Sequence, residues 1–168
     1  MRLRRVLLLA AVIAVGVVVE STVLGHLRLG GIHADVLVIA VVAVAMTCGP
    51  VTGATFGFSA GLVSDLLFAN QVGIYALVYT VIGFGIGVAR VYITTSSTLA
   101  HLLLATGASF LSVWLAGLVL RVFDLSSWGF LVRAAPMVAL YNLLLTPLVY
   151  PLVRALLERL EPAPTTNW

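Results

Sequence analysis

Apolar runs follow one another so closely in this 168-residue chain that no segment between them is long enough to form a water-soluble core. The hydrocarbon of a bilayer is about 30 Å thick and takes roughly 20 apolar residues per helix. The first run is Val6 to Leu24, interrupted only by Glu20, Ser21 and Thr22. The next three are Val36 to Thr47, Val51 to Ala69 with Ser64 and Asp65 inside it, and Gly73 to Ala89. Leu99 to Leu120 and Phe130 to Leu157 complete the set, the last carrying Arg133, Asn142 and three prolines. The expectation is an all-α polytopic membrane protein with six transmembrane helices. Residues 1–160 form its single domain, and 161–168, with two prolines, form a disordered tail. The second run is the shortest, about 18 Å at 1.5 Å per residue. Extended from Ala34 to Gly49 it makes a short span; a re-entrant pair about Gly49 and Pro50 is the alternative.

Composition supports this class and excludes others. Hydrophobic residues make up 62% of the chain and charged residues 9%, with a mean hydropathy of +1.18. A soluble domain carries about 25% charged residues, and a chain this small could not cover so much apolar surface in water. The single cysteine, Cys48, excludes an intrachain disulfide and a thiolate zinc site. The basic residues are arginines with no lysine, and the formal charge of +3 is spread along the chain, which argues against nucleic acid. The basic start and the apolar run behind it imitate a secretory signal. The run exceeds a signal's apolar core and no small-residue cleavage pattern follows, so it reads as an uncleaved first span. With six spans, Arg2, Arg4, Arg5, Arg90, Arg154 and Arg159 share one side, and Arg28, Arg121 and Arg133 the other. Arginine excess marks the cytoplasmic side, so both termini are expected there.

Catalytic motifs find no support. Without lysine there is no P-loop, and no H-E-x-x-H or G-x-S-x-G occurs. His26, His33 and His101 are far apart in sequence, which disfavours a metal site. Ser59 and Ser64 are expected to bond their own helix's carbonyls. No enzyme activity, cofactor or metal is expected.

The third run does stand out. Gly49, Gly53, Gly57, Gly61 and Asp65 recur every four residues, and the fourth run offers a matching Gly83 and Gly87. Steps of four wind slowly round a helix, and small residues at that spacing let another backbone approach. The neighbour is either a helix of this chain or a partner's. Asp65 is expensive in hydrocarbon, by at least ~2.5 kcal/mol. Glu20 lies at a similar depth and Asp35 opens the second run, so three acids collect towards the outer leaflet. Arg28, Arg121, Arg133 or a nearby helix N-terminus could neutralise them. An outer-surface or partner-facing role is expected for Asp65, and internal packing for Gly57. In the sixth run, Pro136, Pro147 and Pro151 free carbonyls to which Asn142 could donate. Tyr75, Tyr92, Trp128 and Tyr150 lie near predicted ends and read as interface anchors.

The stretch Ala34 to Arg90 resembles the bacterial rod-shape-determining protein MreD family. The shared pattern is G-x-x-x-G-F-x-x-G-L-x-x-D, here Gly53, Gly57, Phe58, Gly61, Leu62 and Asp65, followed by Gly73, Leu77 and Tyr79. The ending YNLLLTPLVYPLV, with Asn142, Pro147 and Pro151, is also similar. There are two departures: Ala34 stands where the family often has proline, and the segment Cys48 to Val51 lacks the family's usual basic residues. The resemblance implies a non-catalytic inner-membrane scaffold of the cell-elongation machinery. It implies an MreC-like bitopic partner, with MreB, RodA and a penicillin-binding transpeptidase in the same assembly. Gly57, Phe58, Gly61, Asp65, Glu20, Asp35 and Asn142 are then the candidate interface residues. It further implies a fold similar to the substrate-binding subunits of energy-coupling-factor vitamin transporters. Such a subunit is the rival function, and its polar outer loops would here be supplied by His26, Arg28, His33, Asp124 and Trp128. The arginine imbalance gives a direct test: reporter fusions at Arg159 and His33 should report cytoplasm and periplasm respectively, and the same side for both refutes six spans.

Overall fold

A computed structural model describes residues 2–24, 35–67, 73–92, 98–123 and 128–158. The tail 161–168 and the loop segments 25–34 and 124–127 lie outside them. The described residues form six helices: α1 (Arg2–Val19), α2 (Val36–Cys48), α3 (Pro50–Leu67), α4 (Ile74–Ala89), α5 (Thr98–Val122) and α6 (Trp128–Glu158). α1 widens into a π-helical turn at Glu20–Leu24. Windows in α1, α5 and α6 are long and apolar enough to cross a membrane. α2 and α4 are shorter apolar helices, and α3 is diluted by glycine, serine and Asp65.

The short second run becomes the centre of the bundle. α2 has 13 residues, and every residue from Val36 to Ala45 is buried. At 1.5 Å per residue it is about 20 Å long, well under the hydrocarbon thickness. A helix apolar on all sides belongs in a core, and α2 has α1, α3, α4, α5 and α6 around it. Its length therefore reflects a protein environment rather than a lipid one. Gly49 alone separates it from α3, at φ +91°, a conformation that favours glycine. Arg90, from the end of α4, lies over this turn and donates from Nη1 to the Thr47 carbonyl at 3.1 Å. Arg5 of α1 approaches Thr52 Oγ1 at 3.4 Å. The turn that lacks its own basic residues thus receives two from elsewhere in the chain.

The glycine row is internal. α3 and α4 run antiparallel, with Gly53 facing Gly83, Gly57 facing Tyr79 and Gly61 facing Tyr75. A Cβ placed on Gly53 would lie 2.6 Å from the Gly83 carbonyl oxygen, and one on Gly57 or Gly61 would enter the backbone at Tyr79 or Tyr75. Gly87 meets the backbone of Pro50 in the same way. At Gly53, Gly57, Gly61 and Gly83 the hydrogen in place of the Cβ points at a carbonyl oxygen, the geometry of a weak Cα–H···O contact. Backbone-to-backbone packing over this length holds the two helices in one register.

α6 remains one helix of 31 residues although Pro136, Pro147 and Pro151 lie inside it. Asn142 does not serve the carbonyls these prolines free; its amide is engaged elsewhere, as described below. Tyr92 and Trp128 are exposed, as expected of anchors, but Tyr150 is buried, its ring centroid 4.7 Å from that of His101. Ser59 bonds back to the Thr55 carbonyl at 2.9 Å.

Replacing Gly57 by alanine should lower the melting point of the purified chain, by the equivalent of about 1–3 kcal/mol for overpacking. At Gly85, also in α4, a Cβ would point into open space, with no neighbouring atom within 4 Å, so Gly85→Ala should be neutral or slightly stabilising. Equal melting of the two variants would contradict the register.

Candidate functional site

The three acids expected at the outer leaflet are buried, and each serves a helix start. The first backbone N–H groups of a helix have no partner within it. At α4 the capping position is Gly73, at φ +104°, which has no side chain to supply one. Asp65 of α3 supplies it instead. Oδ2 accepts from Gly73 N at 2.9 Å and Ala76 N at 3.2 Å, and Oδ1 accepts from Tyr75 N at 3.3 Å. Asp65 is 0% exposed. The outer-surface position expected for it is therefore corrected: the carboxylate closes the α3–α4 hairpin from inside. Among the described residues its neutraliser is the N-terminus of α4, whose dipole favours an anion. Arg133 turns back to the Gly129 carbonyl of its own helix at 3.0 Å. Arg28 lies outside the described residues.

α2 starts the same way. Asp35 Oδ1 accepts from Val38 N at 3.1 Å, and Glu20, in the π turn, accepts from the backbone N–H of Leu37. Tyr79 Oη donates to Asp35 Oδ1 at 2.6 Å. Tyr79 stands edge-on to Tyr75, with centroids 5.6 Å apart. Tyr75 lends its backbone to Asp65 and Tyr79 its hydroxyl to Asp35, so one turn of α4 links the two capping sites.

Asn142 of α6 completes the cluster. Its Oδ1 accepts from Asp35 N at 3.0 Å, and its Nδ2 donates to Asp35 O at 2.8 Å and to Ser109 Oγ at 2.7 Å. Ser109 Oγ donates in turn to the Ala105 carbonyl at 2.7 Å. Asn142 is fully buried and uses its carbonyl and both amide hydrogens. The network thereby ties α2, α4, α5 and α6 together at one level. Sequence reasoning singled out Asn142, Asp35, Glu20 and Asp65 but missed Tyr79 as a donor and Ser109 as a relay. The four-residue step from Tyr75 to Tyr79, opposite the glycine row, was the available signal.

Of the other named candidates, Gly57 and Gly61 are buried against α4, while Phe58 is 51% exposed on the outer face of α3. Among the described residues, no group of three His, Cys, Asp or Glu is placed to hold a metal ion. Sequence reasoning also missed a recess of about 340 Å³ between α1 and α6, floored by Val36 and Ala40 of α2. Val15, Gly16, Leu148 and Leu152 are among its walls. Its valines and leucines give hydropathy no way to separate it from lipid-facing surface.

An all-helical bundle with long apolar helices outside and a hydrogen-bonded polar interior defines a polytopic membrane protein. The family model of the rod shape-determining protein MreD matches residues 1–160, and the chain belongs to that family. Membership places it among the membrane proteins of rod-shape determination. No curated protein and no solved structure gives a significant match, so the expected likeness to transporter subunits gains no support from that side.

The network makes a stability prediction. Asp65→Asn leaves one oxygen to accept three N–H groups and should lower stability by about 1–3 kcal/mol. Tyr79→Phe removes one donor and should cost about 1 kcal/mol. Melting curves in detergent measure both; an Asp65→Asn variant that melts like the parent would contradict the capping role.

Proposed function

We propose that this chain is a non-catalytic scaffold of the bacterial cell-elongation machinery in the inner membrane. It crosses six times with both termini in the cytoplasm and holds an MreC-like bitopic partner. Through that partner it organises peptidoglycan synthesis together with MreB, RodA and a penicillin-binding transpeptidase. The observation that carries this reading is the use of the polar interior. Asp65, Asp35 and Asn142 are each occupied in fixing one helix against another, which suits a rigid platform more than a turnover site. Family membership supplies the process.

The partner's span is received in the recess between α1 and α6. The recess is lined by aliphatic side chains and is open along the bundle's side. Apolar packing is what a single membrane helix can offer there. The vitamin-transporter alternative is not favoured, because a vitamin would need convergent polar groups in its cavity.

Cross-linking tests the arrangement. In a Cys48→Ala background, Val15→Cys and Leu152→Cys should cross-link to the single-span partner, and Leu66→Cys, exposed on α3, should not. Ala11→Phe, which fills the recess, should reduce co-purification of the partner about tenfold, equivalent to ~1.4 kcal/mol. Cross-linking from Leu66 alone would move the partner to the α3 face. Normal rod shape in cells whose only copy is a folded Ala11→Phe variant unable to hold the partner would refute the scaffold reading.

A further inference from the structure

The geometry points to a phosphate-binding site in the cleft between the first turn of α5 and the last turns of α6. The ligand is a phosphodiester with a hydroxylated arm, carried by an anionic phospholipid headgroup or by a soluble phosphate ester. The cleft has a volume of about 140 Å³ and is lined by His101 of α5 and by Pro147, Tyr150, Pro151 and Arg154 of α6. That is the space of about four to five waters at ~30 Å³ each, the scale of a phosphate and a short ester arm.

The lining has the chemistry for such a group. Arg154 is exposed, and its planar fork matches phosphate oxygens. His101 is half-buried in the first turn of α5, where the helix dipole favours an anion. Its ring is held against Tyr150, at 4.7 Å between centroids and 40° between planes. An acceptor is present as well. Pro151 has no N–H, so the helix ladder leaves the Pro147 carbonyl without its usual donor. A guanidinium and an imidazole beside one such carbonyl suit a phosphate whose arm carries a hydroxyl.

The location agrees. α5 begins a short connection after Arg90, so the cleft belongs to the end of the bundle where Arg90 and Arg5 meet the α2–α3 turn. Under the orientation proposed above this is the cytoplasmic leaflet, where anionic lipids collect. Binding of phosphate does not depend on that orientation or on the scaffold role.

The test uses the full chain in nanodiscs of phosphatidylglycerol or phosphatidylcholine, with retained lipid counted by native mass spectrometry after transfer to detergent. The parent should retain phosphatidylglycerol at least fivefold over phosphatidylcholine. His101→Gln with Arg154→Gln should abolish that preference, whereas Arg133→Gln, at the far end of α6, should keep it. If the double variant does not fold, Arg154→Lys replaces it and should reduce the preference by keeping charge without the fork. Displacement of the lipid by glycerol phosphate assigns the site to a soluble ester, and failure to displace it assigns the site to the headgroup. Equal retention of the two lipids by the parent overturns the proposal, as does an unchanged preference in the folded double variant or in Arg154→Lys.

Discussion

The contact on which the rest of this molecule depends is backbone against backbone between α3 and α4. Three glycines on α3 and two on α4 allow it, and side chains at any of these positions would separate the helices. In lipid there is little hydrophobic force to press helices together, so close approach and weak polar contact carry more of the association. The glycine pairing also sets the register. It places Asp65 beside the start of α4 and Tyr79 beside the start of α2.

The carboxylates then make sense as a set. A helix that begins inside a protein exposes N–H groups that neither water nor its own helix can satisfy. Here two buried helix starts are met by Glu20, Asp35 and Asp65, from three different segments. Each acid is costly alone in a membrane, and each start is costly alone. Together they offset one another, and Asn142 extends the arrangement to α5 and α6.

Much of this is legible in the residues. The run boundaries match the helices to within a few positions, and the four-residue glycine step names the surface that packs. A helix N-terminus is among the neutralisers that the sequence offers for the acids. What one strand of text does not hold is which of two surfaces a small-residue row meets. Gly57 and Gly61 read alike whether they face α4 or a partner, and only the pairing with Tyr79 and Tyr75 decides. Depth counting also misleads: Asp65 is near a helix end, yet the chain folds back through Gly73 and encloses it. Asn142 reads as a donor to its own helix's freed carbonyls because Asp35, 107 residues away, is invisible to local spacing. The α1–α6 recess leaves no trace because its lining is ordinary aliphatic sequence.

The burial of α2 bears on how the chain enters the membrane. A 13-residue segment with a carboxylate at its head makes a poor independent passenger. Its surroundings are mostly later helices, and its immediate companion is α3, across a one-residue turn. The apolar surface of α2 is therefore fully covered only when α3 is joined by α4 along the glycine face and by α5 and α6. Assembly of this bundle is thus ordered by sequence position: α1 is the first segment able to stand alone in lipid, and α5 and α6 close over a centre that lipid itself never solvates.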